Sequence, residues 1–440
     1  MSASPLDVLA KMPMRTRQYV IIALCCLINI TEGYDMMSAA YTAPLFSAEW
    51  GVPRTALGIL FSMGSLGLAI GAFAAAPIAE RMGRRGVTFV ALAGITISHV
   101  FSAFANSMEM LTVLKFLMGV GLGMLVVSLN VLVSEYANDD RRNLMLSILH
   151  TGFSIGMTLS GAIAGFLLEP YGWRSVFVVG AGINITLLAL LAVFMWESPT
   201  YLVTAQPRNA LPRLNKILTG LGHPPLDTLP PRPERQVKQN KAAALLSADV
   251  RRLSIIMWVA SFVYAVVGYF LLNWKPTVLV EAGLTPTQAS YAGVLQGIAG
   301  SCGHLVFGLF ARRIGEERMT AAFFLIMGGV LVVFGAGHAS PVVMIALACT
   351  LTFFTVGSYT GVFLTTIAYY PPHLRSFGVG FVVGFGRAGA VLGPLIGGML
   401  LDADIGRAMA FVFFASMCVV PAIAMFMLGR KAAPATPAPA

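Results

Sequence analysis

The sequence predicts an all-α membrane protein whose twelve transmembrane helices form two six-helix pseudo-repeat halves. Three observations carry this. Only 11% of the 440 residues are charged and 57% are hydrophobic, with a mean hydropathy of +0.79; a soluble chain carries roughly a quarter charged residues. Twelve apolar runs reach the ~20 residues that a helix needs to cross a bilayer. The two halves of the chain also repeat each other's landmarks.

The runs are 19–47, 54–79, 86–106, 109–136, 143–169 and 174–196, then 252–281, 287–311, 317–338, 341–370, 374–401 and 408–429. Strands of a closed barrel, the other spanning solution, are short and alternate in polarity, and these runs do neither. They divide the chain into an N-terminal segment 1–18, a six-helix half 19–196, a central loop 197–251, a second half 252–429 and a tail 430–440. The loop is basic and rich in proline (Pro207, Pro212, Pro224, Pro225, Pro230, Pro231, Pro233), and reads as a linker with one short surface helix. From Ala432 the tail is Ala/Pro low complexity, expected to be disordered. The N-terminus does not read as a cleavable signal, because its basic flank leads into an apolar run longer than a signal's core.

Orientation follows from the 29 lysines and arginines. One side of the alternating aqueous segments holds nearly all of them, including Lys11, Arg15 and Arg17, Arg81, Arg84 and Arg85, Arg141 and Arg142, and the central loop. The other holds Arg54, Arg174 and Arg407. The positive-inside rule then makes both termini and the central loop cytoplasmic, in a bacterial inner membrane. Charge so placed argues for a lipid bilayer rather than nucleic acid as partner, despite the net +10. The five cysteines (Cys25, Cys26, Cys302, Cys349, Cys418) sit in apolar stretches without metal-ligand spacing. They are expected to be small buried hydrophobes, with no metal or cofactor site.

The repeat is visible in the residues. Ala79-Glu80-Arg81-Met82-Gly83 recurs as Ala311-Arg312-Arg313-Ile314-Gly315, and Arg142, Gly156, Gly165 and Arg174 recur as Arg375, Gly389, Gly398 and Arg407 at a separation one residue longer. A separation held that constant argues for parallel six-helix repeats, the construction of alternating-access carriers.

The stretch Gly71-Ala72-Phe73 through Ala79-Glu80-Arg81-Met82-Gly83-Arg84-Arg85 resembles the signature of the major facilitator superfamily, with Glu80 where Asp is usual. Within it, the chain resembles the aromatic acid:proton symporters, which carry 4-hydroxybenzoate and related acids. The matching residues are Glu32-Gly33-Tyr34-Asp35 in the first span, Ser134-Glu135-Tyr136-Ala137 ending the fourth, Gly172-Trp173-Arg174, Glu197-Ser198-Pro199, and Gly386-Arg387-Ala388-Gly389-Ala390 with Gly393-Pro394 in the eleventh. Two positions depart from the pattern: Glu32 replaces the first Asp, and Lys115 stands where an Arg is usual. The resemblance implies the major facilitator fold, proton-coupled uptake of a small organic acid such as a hydroxybenzoate, and a gating role for Gly71, Glu80, Arg81, Gly83, Arg84 and Arg85.

The charges inside the spans carry the chemistry. Glu32 and Asp35 are three apart and share a helix face. An acid inside the hydrocarbon region is expensive and so marks a proton or substrate path, and both are candidates for proton coupling. Arg387 lies deep in the eleventh span and can fork two hydrogen bonds to a carboxylate, which makes it the leading substrate-binding residue. It is expected to work as a pair with Asp35. Lys115, followed by small residues that let helices approach, is a second candidate, with structural pairing as the competing reading. Lys275, near the outer end of the seventh span, is expected to snorkel to the interface. Tyr34, Tyr359 and Phe385 are placed to stack a flat ring, although aromatics at helical spacing are usually packing. Among histidines within spans, His99 and His304 read as packed polar residues and His150 as the better proton carrier. Glu80, Arg81, Arg84 and Arg85 lie too near the cytoplasm to reach substrate, but a charge at a helix end can latch one conformation. Glu135 with Arg141 and Arg142 reads as a parallel cytoplasmic cluster and a gating candidate, with a solvated face as the competing reading.

Other functions are weaker. A nucleotide-driven pump needs a G-x-x-x-x-G-K-[ST] loop, and no Gly-Lys pair exists in the chain. A sensor would carry an appended signalling domain. A proton-antiport drug or metabolite exporter often has an extra Gly/Pro motif on the fifth span, which here has the glycines without an internal proline. The reading is a secondary transporter and not an enzyme, taking an organic acid and protons as partners and working as a monomer.

Overall fold

Inside a bilayer a backbone must satisfy its own N–H and C=O groups, so each apolar run is expected to be one continuous helix. The computed structural model describes residues 10–232, 244–337, 340–403 and 405–429; the low-complexity tail falls outside them. The chain forms α1 (Thr16–Trp50), α2 (Arg54–Ala103), α3 (Met108–Tyr136), α4 (Arg142–Tyr171), α5 (Arg174–Phe194), α6 (Pro199–Thr204), α7 (Ala210–Gly220), α8 (Arg251–Glu281), α9 (Pro286–Ile314), α10 (Glu316–Ala336), α11 (Pro341–Tyr369), α12 (Pro372–Asp402) and α13 (Gly406–Gly429). Eleven of these are long and apolar enough to cross a membrane. The 50-residue α2 holds two of the expected spans, because Gly83 interrupts it at φ 82 and ψ 166, a conformation open to glycine and strained for other residues. Among the described residues the central segment carries two short helices, α6 and α7, where one was expected.

The chain divides into two units, one of Met1–Ala39 with Met63–Gln236, the other of Ala40–Ser62 with Val237–Ala440. The last third of α1 and the first turns of α2 thus belong with α8 to α13.

Within the first unit, helices meet at glycines. A Cβ at Gly156 of α4 would fall on the carbonyl of Ile30 in α1, and one at Gly71 of α2 on the carbonyl of Val120 in α3. Small residues at such crossings let backbones touch where no hydrophobic force between helices is available. The second unit repeats both contacts: Gly389 of α12 meets the Phe262 carbonyl of α8, and Gly303 of α9 meets the Phe353 carbonyl of α11. Arg174 donates to the Ala105 carbonyl at 3.1 Å, and its counterpart Arg407 to the Gly335 carbonyl at 3.3 Å. Gly315, the counterpart of Gly83, also has positive φ. The repeat read from sequence is therefore a repeat of packing.

The apolar core of the first unit runs from Ile28 through Leu92, Leu125, Leu129 and Leu149 to Leu191, and reaches Leu214 and Ile217 of the amphipathic α7. In the second unit Phe270 stacks on Phe414 with ring centroids 3.8 Å apart. Phe73, Phe104, Val193, Leu309 and Val342 point outward, unpaired with other core. A lipid solvent covers such a surface without penalty, whereas water does not.

Candidate functional site

Asp35 sits in the middle of α1 and is 1% exposed. Its Oδ1 lies 2.7 Å from His99 Nε2 on the second segment of α2, and its Oδ2 accepts from Asn184 Nδ2 of α5 at 3.5 Å. Lys115 of α3, also buried, donates to the backbone carbonyls of Asp35 at 3.0 Å and Met36 at 3.4 Å. Gly64 leaves the space its side chain fills. Four helices thus bring an acid, an imidazole, an amide and an ammonium together. Low dielectric strengthens their interaction and makes any uncompensated charge costly. Two tilted rings pack about the imidazole, with the Tyr34 and Phe177 centroids 6.4 Å and 5.8 Å from it. His99 Nδ1 and Asn184 Oδ1 are buried without a hydrogen-bond partner.

His99, expected to be a packed polar residue, is fully buried, and its bonded partner is Asp35, the first candidate for proton coupling. Nothing in the local sequence pairs two residues so far apart. His150, expected to have the better claim, is exposed on α4. Glu32 lies one turn before Asp35, buried, and accepts from Asn29 Nδ2 at 2.9 Å. Tyr34 is buried, its hydroxyl donating to the Val176 carbonyl at 2.6 Å.

In the second unit Arg387 of α12 is half-buried and donates from Nη1 to the Tyr269 hydroxyl at 3.4 Å. Tyr359 packs on Tyr264 and is substantially exposed. Phe385 lies flat on Trp258, with centroids 4.7 Å apart and planes within 8°. Lys275 corrects the expectation that it snorkels. It is 7% exposed, and its ammonium donates to Thr352 Oγ1 at 2.5 Å. The helix runs on to Glu281, so the lysine is too deep to reach its end.

The signature residues between the two segments of α2 converge on Glu197, which follows α5. Its carboxylate accepts from the Arg85 amide at 2.9 Å and lies against Gly83, where a Cβ would displace it. Arg213 Nη2 is 3.5 Å from it. Tyr201 of α6 donates to the Arg81 carbonyl at 2.9 Å, and Arg85 Nη2 to the Ala192 carbonyl at 2.7 Å. Burial and then the Glu197 carboxylate push the Tyr201 phenol up, with Arg213 opposing. Glu135 bonds Ser198 Oγ and faces Arg84. Arg142 pairs with Asp139 at 2.7 Å and donates to the Ser134 carbonyl. Glu80 is exposed, and Gly71 lies against α3.

All five cysteines are free; Cys25 and Cys418 are buried as expected, but Cys302 is exposed. Among the described residues no group of His, Cys, Asp or Glu is placed to hold a metal ion.

Repeated bundles of spanning helices with ionisable groups sealed inside them define a multi-pass membrane transporter rather than an enzyme. The chain belongs to the Major Facilitator Superfamily, whose family model matches residues 25–369 and again 257–440. It is 31% identical over 440 residues to the gallate transporter of Pseudomonas putida, covering 99% of this chain and 98% of that one. It is 29% identical to the 4-hydroxybenzoate transporter PcaK of Acinetobacter baylyi, covering 94% and 90%. Among solved structures, a bacterial homologue of the human lysosomal transporter Spinster, inward-facing and occupied, superposes with a TM-score of 0.75 at 15% identity, covering 95% of this chain and 98% of that one. A D-xylose-proton symporter gives 0.74 at 17% identity, covering 93% and 97%. These structural likenesses speak for the fold alone.

Proposed function

We propose that the chain imports a small aromatic carboxylate together with protons, by alternating access. The observation that carries this reading is the Asp35 carboxylate, shut away from solvent with an imidazole as its bonded partner. A charged acid in that setting is costly, and a proton relieves the cost. Asp35 is therefore the group that loads and releases the proton, with Glu32 one turn away as a second acid. Lys115 compensates the charged state by its position rather than by direct contact with the carboxylate. The names of the full-length relatives, gallate and 4-hydroxybenzoate transporters, support an aromatic acid as cargo.

Arg387 holds the substrate carboxylate in this account, and exposed Tyr359 and Phe385 flank the ring. Tyr34, with its hydroxyl already bonded, shapes the Asp35 cluster from behind. The Glu197 cluster with Gly83, Arg81 and Arg85, and the Glu135–Arg84 and Arg142 contacts, act as gating elements on the arginine-rich side. That side is cytoplasmic by the positive-inside rule, in the inner membrane of a bacterium, and the working unit is a monomer. A monoanion carried with one proton moves no net charge, so the pH gradient drives it. Only a further proton would add the membrane potential, about 2.3 kcal/mol per charge at 100 mV. Uptake of labelled gallate and 4-hydroxybenzoate into a deletion strain tests the reading. Uptake that a protonophore abolishes supports it, and uptake that survives one in energised cells refutes the coupling.

A further inference from the structure

We propose that Lys275, Thr352 and Gln296 form an anion-binding site, distinct from Arg387, that takes the carboxylate of the transported acid; this rests on the organic-acid reading above. The first observation is a charge imbalance. In α8 to α13 every Asp and Glu lies at a helix end: Glu281 closes α8, Glu316 and Glu317 open α10, and Asp402 closes α12. Two cations, Lys275 and Arg387, lie inside those helices, with no acid at comparable depth. The end acids are also engaged, Glu281 with Arg54 at 2.8 Å and Asp402 with the Thr55 hydroxyl at 2.7 Å. Among the described residues no ion pair includes Lys275.

The second observation is how Lys275 is held. An ammonium has three donors, and here one goes to Thr352 Oγ1 of α11. That hydroxyl in turn donates to the Ala348 carbonyl at 2.8 Å and lies 3.4 Å from Gln296 Oε1 of α9. Three helices converge on a cation whose neighbours are neutral, and Gln296 is itself buried. Lys115 is the internal contrast: equally buried, it sits on an acid cluster. A buried cation lacking a counter-charge is stabilised most by an anion with two acceptor oxygens. A carboxylate answers that need with one oxygen on the ammonium, and Gln296, which meets the same Thr352 hydroxyl through its Oε1, brings an amide from the adjoining helix.

Position gives the site a role. Tyr269, which bonds Arg387, precedes Lys275 by six residues on α8, so the two cation sites are about 9 Å apart along the helix. Lys275 is the one nearer Glu281 and Arg54, on the side assigned as outer. An acid arriving from outside meets Lys275 before Arg387.

The test is equilibrium binding to the purified full chain in lipid nanodiscs, using 4-hydroxybenzoate and its uncharged analogue 4-hydroxybenzamide. Wild type is expected to prefer the acid and to bind two equivalents of it, and Lys275→Gln to lose about tenfold or more in affinity for one of the two, with little change for the amide. Lys275→Arg retains the preference in part, and Thr352→Val loses less than Lys275→Gln. Wild-type affinity and acid preference in Lys275→Gln would overturn the proposal while leaving acid transport intact. Should Lys275→Gln not fold, an unchanged acid preference in both Thr352→Val and Gln296→Leu overturns it instead. If wild type binds no aromatic acid, the cargo reading fails. Thermal stabilisation by acetate and chloride then decides the site: stabilisation lost in Lys275→Gln upholds an anion site, and none in wild type refutes it.

Discussion

His99 Nε2 lies 2.7 Å from Asp35 Oδ1, and solvent reaches neither side chain. The contact is a buried hydrogen bond whose donor is set by the imidazole tautomer. Removing the imidazole leaves the carboxylate with Asn184 at 3.5 Å. Breaking a buried pair from one side costs about 3–5 kcal/mol. His99→Ala is expected to unfold well below wild type in detergent, and adding Asp35→Asn to recover part of the loss. A double-mutant cycle by thermal unfolding checks this, and simple additivity would contradict it.

Gly83 combines a positive φ with a carboxylate pressed against it. Gly83→Val strains the backbone and displaces Glu197 from the Arg85 amide. Neither residue is placed with the Asp35 cluster, so turnover should fall severalfold while substrate affinity holds. Counterflow rates beside equilibrium binding separate the two. Lost affinity in a folded Gly83→Val protein would contradict the gating role.

The matched crossings make a symmetric prediction. Gly156→Val and Gly389→Val each drive a side chain into a backbone carbonyl, so each should exceed the roughly 1–3 kcal/mol of ordinary overpacking and sharply reduce folded yield. Gly94→Ala, which meets nothing within 4 Å, should be neutral or slightly stabilising. Fluorescence-detected size-exclusion chromatography of the three variants reads the difference.

Arg387→Lys keeps the charge and loses the planar fork. Acid affinity at the Arg387 site is expected to fall about tenfold, without loss of folding, since among the described residues Arg387 donates one long hydrogen bond, to Tyr269. Binding of labelled 4-hydroxybenzoate measures it, and undiminished affinity would place the carboxylate elsewhere.

Much of the fold was legible because hydrophobicity along the chain reports directly on bilayer crossing. The repeat was legible because glycines at crossings and arginines at helix ends are tied to backbone positions: Gly156 and Gly389 recur in sequence and meet equivalent carbonyls. The break at Gly83 was visible only as a polar gap, since the flanking residues continue as helix on both sides. Site partners were harder. His99 reads as an isolated polar residue, and its bond to Asp35 depends on how α1 and α2 pack, which no local pattern encodes. Lys275 looked close enough to a helix end to snorkel, but α8 continues past it and Thr352 of α11 covers it. Asp35 itself stood out, because an acid in an apolar run is conspicuous wherever it packs.

The central claim, that Asp35 couples the proton to the cargo, is tested most directly in proteoliposomes bearing an imposed pH gradient. Labelled 4-hydroxybenzoate or gallate is followed in two modes, accumulation against a gradient and counterflow exchange. Wild type should do both. Asp35→Asn, which keeps the shape of the side chain and removes its charge, should exchange substrate but fail to accumulate it. Accumulation by Asp35→Asn at wild-type levels would contradict the account and move the coupling to Glu32.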